Sequence, residues 1–164
     1  MYKRQFPYKV LQVDGAEADD IIATIVNLVS KTPNLFEKIL IMSGDKDFIQ
    51  LQTHENVQQY SPTLKKFING VDPNTYKIEH IFKGDRGDGI PNILSPDNTF
   101  VEGLRQKPLG KNKIDSWKQV GTWPIDDWNE EIKRNYQRNC KLIDLDLIPS
   151  HIRDTIYYLS LIHI

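Results

Sequence analysis

The stretch that decides the fold is KILIMSGDKDFIQL, Lys38 to Leu51. Its opening, KILIM, is short, β-rich and apolar on both faces, which predicts a buried strand. Ser43 and Gly44 then turn the chain outward, and Asp45 and Asp47 stand one residue apart where the strand should meet water. Such a pair has two readings. It is an aspartate-rich turn, in which the carboxylates bond their own backbone, or it is part of a cation site. In open α/β sheets ligands gather at the carboxyl ends of the strands, and this pair is expected at that edge.

Working outward, YKVLQV (Tyr8 to Val13) predicts an earlier buried strand. The run DGAEADDIIATIVNLVSK then places Ile22, Ile25, Val26 and Val29 at helical spacing, so a helix should begin near Ala18. Strand, helix, strand is a βαβ unit, which implies a parallel sheet and an α/β class. Beyond it, VQQYSP and LKKFI read as two short strands around the Ser61-Pro62 turn. Asp72-Pro73 supplies an N-cap and a first-turn proline for a helix through Phe82 that stops at Gly84. After Gly84 the sequence becomes loop-rich and basic, with helices expected over Asp126 to Ile143 and from a Ser150 cap. The expected organisation is an α/β part over 1–83, a helical part over 84–160, and a non-native tail over 161–164.

The chain has 164 residues, enough for one core and a small appendage. No run approaches the ~18 apolar residues of a membrane span, and MYKRQFPYKV lacks the apolar stretch of a signal peptide. The single cysteine, Cys140, rules out an internal disulfide framework and a multi-cysteine zinc site, and suits a reducing, cytoplasmic setting. The net charge of −1 hides a gradient: Gly103 to Lys141 holds nine Lys/Arg against five Asp/Glu, a net of +4. That asymmetry fits either a solvated face or a polyanionic partner.

The acids fall into three motifs. EADD sets Glu17, Asp19 and Asp20 in a helix's opening turn, where acids suit the free N–H groups and the dipole. The second motif is the Asp45/Asp47 pair. The third, GDRGDG, holds Asp85 and Asp88 among glycines and reads on its own as a turn. Together they say more. Two carboxylates ~5 Å apart repel by roughly 3 kcal/mol at an effective dielectric of 20. Converging acids would therefore consume much of a domain's ~5–15 kcal/mol stability. Either they point apart or a divalent cation sits among them. With no His or Cys beside them, an oxygen-liganded Mg²⁺ or Mn²⁺ is preferred to zinc.

In order and spacing, VDGAEADDIIATI, ILIMSGDKDFIQL and GDRGDGIPN resemble the 5′-nuclease superfamily of flap endonucleases and 5′→3′ exonucleases. The similarity is greatest to its phage ribonuclease H branch, in which a segment like LQTHENVQQYSPTLKKF follows the aspartate pair. The resemblance implies a PIN-like nuclease sheet followed by a helix–three-turn–helix DNA-binding domain. It further implies a two-metal phosphodiesterase that removes RNA primers and adjoining DNA in lagging-strand replication. Glu17 and Asp19 match acids of a first metal site, with Asp20 less firmly placed. Asp45 and Asp47 match the pair between the metals, and Asp85 and Asp88 match acids of the second. Asp19, Asp45 and Asp47 are the catalytic candidates. Gly87, Gly89 and Asn92 match the close backbone approach to duplex phosphates. Lys65, Lys66, Arg86, Arg105, Lys107, Lys111 and Lys113 are phosphate-contact candidates, which position a strand without reading its sequence. Expected partners are branched or nicked DNA and RNA–DNA hybrid with a free 5′ end, with single-strand-binding protein or a clamp as protein partners.

The chain departs from the family twice. Family members carry a further segment ahead of the point matching Met1, with another aspartate-bearing strand and a basic arch, so a truncated gene is expected. After GIPN, the sequence ILSPDNTFVEGLRQKPLG replaces the family's glycine-rich hairpin. A Toprim-type domain would use Glu17 with Asp45 and Asp47, but leaves GDRGDGIPN unexplained. The alternative from another class is a catalytically incomplete module that only binds duplex or flap DNA.

Overall fold

The computed structural model describes residues 8–32, 38–120 and 123–163, without the side chains of 118–120 and 161–163. The chain divides into two compact units, 1–73 with 145–164, and 74–144.

The first unit is α/β. Helix α1 (Ala18–Lys31) starts at a reciprocal capping box. The Glu17 side chain accepts from the backbone of Asp20, whose carboxylate accepts from the Glu17 N–H at 3.0 Å. Strand β1 (Ile39–Met42) pairs in parallel with β2 (Val57–Ser61), Ile39 opposite Val57 and Met42 opposite Tyr60. The crossover between them contains a 3-10 helix, Asp47–Thr53, which buries Phe48, Ile49 and Leu51. Strand β3 (Lys66–Ile68) turns back antiparallel on β2, as the sequence led one to expect. Ala23, Val26, Ile41, Phe48, Leu51, Val57 and Ile148 form the core.

Two strand expectations fail here. Tyr8–Val13 forms no strand; Tyr8 and Val10 are 75% and 48% exposed, and only Val13 is buried. Alternation supplies the right side chains, but a strand also needs a neighbour for its backbone, and none is found among the described residues. Nor is β1 buried on both faces. Ile41 is in the core, while Leu40 and Met42 are 51% and 66% exposed.

The second unit is helical. Helix α2 (Pro73–Lys83) ends at Gly84, whose φ is 67°. A Cβ there would lie 2.3 Å from the Ile90 carbonyl oxygen, so only glycine fits. Helix α3 (Lys111–Val120) is an element the sequence reading missed, and α4 (Glu130–Ile143) is capped by Asn129, whose Oδ1 accepts from Ile132 N–H at 2.9 Å. Phe82, fully buried, meets the rings of Trp117, Trp123, Trp128 and Tyr136 at centroid distances of 5.3, 5.0, 5.6 and 6.0 Å. Cys140 packs against the same core, and burial pushes its thiol pKa up, away from reactivity.

The expected boundary near Lys83 therefore differs from the observed division. Most of α2 belongs to the second unit, because Ile78, Ile81 and Phe82 enter its core. Helix α5 (Ser150–His163) belongs to the first unit, where Ile152 joins the core. The tail expected over 161–164 continues α5 as far as His163, and Ile164 lies outside the described residues.

Candidate functional site

In the first unit the acids of the first two motifs come together. Asp19, half-buried on the first turn of α1, has its carboxyl pKa pushed up to about 6. Burial is the largest cause, followed by the charges of Asp45, Asp47, Glu17 and Asp20. The start of α1 and the end of β1 thus share one field of negative charge, felt most strongly at Asp19.

The turn that carries Asp45 and Asp47 is built by polar side chains. Asp45 N–H donates to Ser43 Oγ at 3.1 Å, and Asp47 N–H donates to Asp45 Oδ1 at 3.1 Å. Gln59, buried on β2, donates its amide to the carbonyls of both Ser43 (3.0 Å) and Asp45. Gln52 donates in turn to Gln59 Oε1 at 3.2 Å. Gly44 packs close to this network: a Cβ on it would come within 3.1 Å of Ser61 Oγ. Sequence reasoning missed Gln59. The signal was there, since an amide at an alternate, core-facing position of a strand needs a polar partner.

The donor set fits a hard cation: it is all carboxylate oxygen, and its mutual repulsion is what a divalent ion relieves. It is not closed, however. Among the described residues, no group of three or more His, Cys, Asp or Glu side chains could by itself hold a metal ion. Asp20 serves the capping box, which accounts for it without a ligand role.

The third motif lies in the second unit and is a different object. Asp85 Oδ1 accepts from Gly87 N–H at 2.6 Å and from Asp88 N–H at 3.3 Å, and Oδ2 lies 3.2 Å from His80 Nε2. Burial works to raise its pKa, but the two amides and His80 outweigh it, so the carboxyl stays below the usual range. Asp88 is exposed.

The expected nucleic-acid residues divide between the units. Lys65 and Lys66 are exposed on the β2–β3 hairpin of the first. In the second, Arg86, Arg105 and Lys107 line one cleft, while Lys111 and Lys113 are exposed on the first turn of α3, with Lys113 Nζ 5.4 Å from the Trp117 ring centre. Gly87 and Gly89 are exposed, Gly89 at a φ of 75°. Asn92 departs from expectation. It is buried, and its Oδ1 accepts from Leu94 N–H and Ser95 Oγ while its amide donates to Lys107 O. It shapes the loop from within.

That loop is also gripped from α4, which sequence reasoning missed. Asn135 donates to the carbonyls of Ile93 and Ser95, both at 3.1 Å, and Asn139 to those of Ile81 (2.8 Å) and Pro91 (2.9 Å). Arg138 adds a bond to Pro91 O at 2.8 Å. Two asparagines one turn apart beside Ile132, Tyr136 and Ile143 were the available clue.

Comparison with known proteins agrees with this architecture. Residues 2–81 match the family of the 5′-3′ exonuclease, N-terminal resolvase-like domain. The ribonuclease H of Enterobacteria phage T4 is 33% identical over 96% of this chain and 53% of its own length. A 5′-3′ exonuclease of Buchnera aphidicola is also 33% identical, over 52% of this chain and 31% of that protein. The chain thus spans about half the length of the phage relative, or less of the others. In fold, it superposes on the T5 D15 protein, co-crystallised with metal ions, with a TM-score of 0.68 at 20% identity, covering 94% of this chain and 64% of that one. No helix among the described residues is long and apolar enough to cross a membrane. On these matches, residues 2–81 carry the N-terminal resolvase-like domain of the 5′-3′ exonuclease family, and nearly the whole chain is similar in sequence to the phage T4 ribonuclease H.

Proposed function

We propose that this chain supplies the acid-bearing and DNA-binding parts of a metal-dependent 5′→3′ exonuclease or flap endonuclease. Its substrates would be branched or nicked DNA and RNA–DNA hybrid with a free 5′ end, cut in primer removal during lagging-strand replication. The observation that carries the reading is the Asp19 carboxyl, driven up by burial and by acids from two separate motifs. Glu17, Asp19, Asp45 and Asp47 are the proposed holders of divalent ions, Mg²⁺ or Mn²⁺. Two bound ions would activate water and stabilise charge on the departing 3′ oxygen.

The rest is done by the protein's own groups. Gln59 and Ser43 fix the turn so that Asp45 and Asp47 present their carboxylates in a set direction. Asp19 must give up its proton to act as a ligand, so divalent-ion binding should strengthen as pH rises through about 6. Lys65, Lys66, Lys111 and Lys113 neutralise backbone phosphates, which orients a strand without selecting its sequence. The setting would be the host cytoplasm, beside single-strand-binding protein or a clamp.

A second reading has its own support in the open donor set: a structure-specific DNA-binding module without turnover. A Mg²⁺-dependent cleavage assay on a 5′-flap and an RNA–DNA hybrid separates the two. The nuclease reading expects cleavage that disappears in Asp45→Asn/Asp47→Asn. Salt-sensitive binding without cleavage would leave the module.

A further inference from the structure

The second unit holds a cleft of about 970 Å³ that begins at Arg86, in the turn between Asp85 and Asp88. Its far wall is the loop from Phe100 to Leu109, in the segment that departs from the family pattern. Leu104 N–H donates to Thr99 O at 2.7 Å, which folds the loop back on itself. Three bonds then fasten it: Asn92 N–H to Gln106 Oε1 (2.7 Å), Asn92 Nδ2 to Lys107 O (2.9 Å) and Lys107 N–H to Ser95 Oγ (2.9 Å). Since α4 clamps the Pro91–Ser95 segment in turn, the cleft is set before any ligand arrives.

Its lining combines two chemistries. Arg86 and Arg105 are exposed and make no ion pair among the described residues, which leaves two planar donor forks facing one space. Lys107 faces the half-exposed carboxylate of Glu131 at 3.6 Å, so it contributes less net charge. Between the cations lies apolar surface from Phe100, Leu104 and Leu109, with Leu104 itself 49% exposed. Guanidinium forks match phosphate oxygens. The apolar wall matches the face of a base, and bases offer that face only when unstacked. A duplex lying here would satisfy the arginines and leave the wall wet.

We propose that this cleft is a subsite for an unpaired nucleotide, with its phosphate on Arg86 and Arg105 and its base against Phe100 and Leu104. The proposal rests on the nucleic-acid reading above and names which part of the substrate enters the second unit. A volume near 1,000 Å³ holds one or two nucleotides.

The test is fluorescence anisotropy of the whole chain, without divalent ions, using a labelled (dT)8, an abasic octamer with the same backbone, and a blunt 12-base-pair duplex. The expected order is (dT)8 tighter than the abasic strand. Arg86→Gln/Arg105→Gln should weaken (dT)8 about tenfold and lower its salt slope by about 0.7, the share of one lost phosphate contact on a single strand. The loss on the duplex should be at least three times smaller. Leu104→Ser should weaken (dT)8 several-fold without changing the salt slope, which separates a lost base contact from a lost charge. Equal binding of the abasic strand, or equal losses on octamer and duplex, overturns the subsite but leaves the nucleic-acid reading standing. Failure of the unaltered protein to bind any of the three probes overturns both. Circular dichroism of each variant confirms that the exposed substitutions leave the fold in place.

Discussion

The turn after β1 and the turn after α2 use the same residue type in opposite ways. In the first unit, Asp19, Asp45 and Asp47 face one another, and the Asp19 carboxyl pKa is driven up to about 6. In the second, Asp85 collects two backbone amides and His80, and its carboxyl is held down. In the first arrangement the charges of four neighbouring acids weigh on one half-buried carboxyl. The second is already satisfied by its own chain. An aspartate in a glycine-rich turn therefore says little by itself; where its charge is compensated decides whether it is a ligand in waiting or a staple.

The largest break in this contrast should come from Gly84→Ala. The new Cβ would sit 2.3 Å from Ile90 O, at a φ of 67°, and would dismantle the turn that lets Asp85 find its amides. A loss of about 3 kcal/mol or more, measured by urea denaturation, is expected. Asp85→Ala, which removes the acceptor and leaves the backbone able to turn, should cost about 2 kcal/mol at pH 7. Because the folded-state pKa of Asp85 is lowered, its contribution is present above the unfolded value of 3.8 and fades as pH falls through the folded one. Wild type and variant should converge in acid; a constant difference would remove the staple.

Asp19→Asn should act with the opposite sign. In EDTA at pH 7.5 the variant is expected to be more stable by about 1 kcal/mol, after discounting the shift for solvent screening. A raised carboxyl stabilises below 3.8 and loses that contribution as pH rises through about 6, so the variant's advantage should vanish near pH 4. Added Mg²⁺ should then raise the melting temperature of wild type more than that of the variant. The smallest effect is expected at His54, part-buried and 3.0 Å from Asn27 Oδ1. Burial, then Lys31, lowers its pKa against the pull of Asp146. Its neutral form supports the fold above pH 6.5, and that support is lost as pH falls through the folded pKa. His54→Gln should flatten the acid limb of the first unit's stability curve slightly.

The sequence revealed what depends on local pattern. KILIM, the EADD helix start and the Pro73–Gly84 helix each carry their own period or cap, and all three form. What depends on distant partners was hidden. Tyr8–Val13 alternates like a strand yet lies unpaired among the described residues. Helix α3 offers only Ile114, Trp117 and Val120 as an apolar stripe, a short signal beside so many polar residues. Ile148 and Ile152 announce an apolar face on the approach to α5, but not that it would join the first core. The nearness of EADD to SGDKD was legible because a helix start and the end of the following strand fall at one sheet edge, whereas GDRGDG, grouped with them by charge alone, lies in the second unit. Gln59, Asn135 and Asn139 were not legible, because a buried amide shows its purpose only when the carbonyls it serves are in view.

The asparagine clamp on the Pro91–Ser95 loop has one more implication. Asn135 and Asn139 are uncharged and fully buried, so neither ionic strength nor ordinary pH loosens their hold. Titrating this protein with salt should consequently strip away bound polyanion while the receptor keeps its shape. A salt series on this protein thus counts released counterions, without a melting transition hidden underneath.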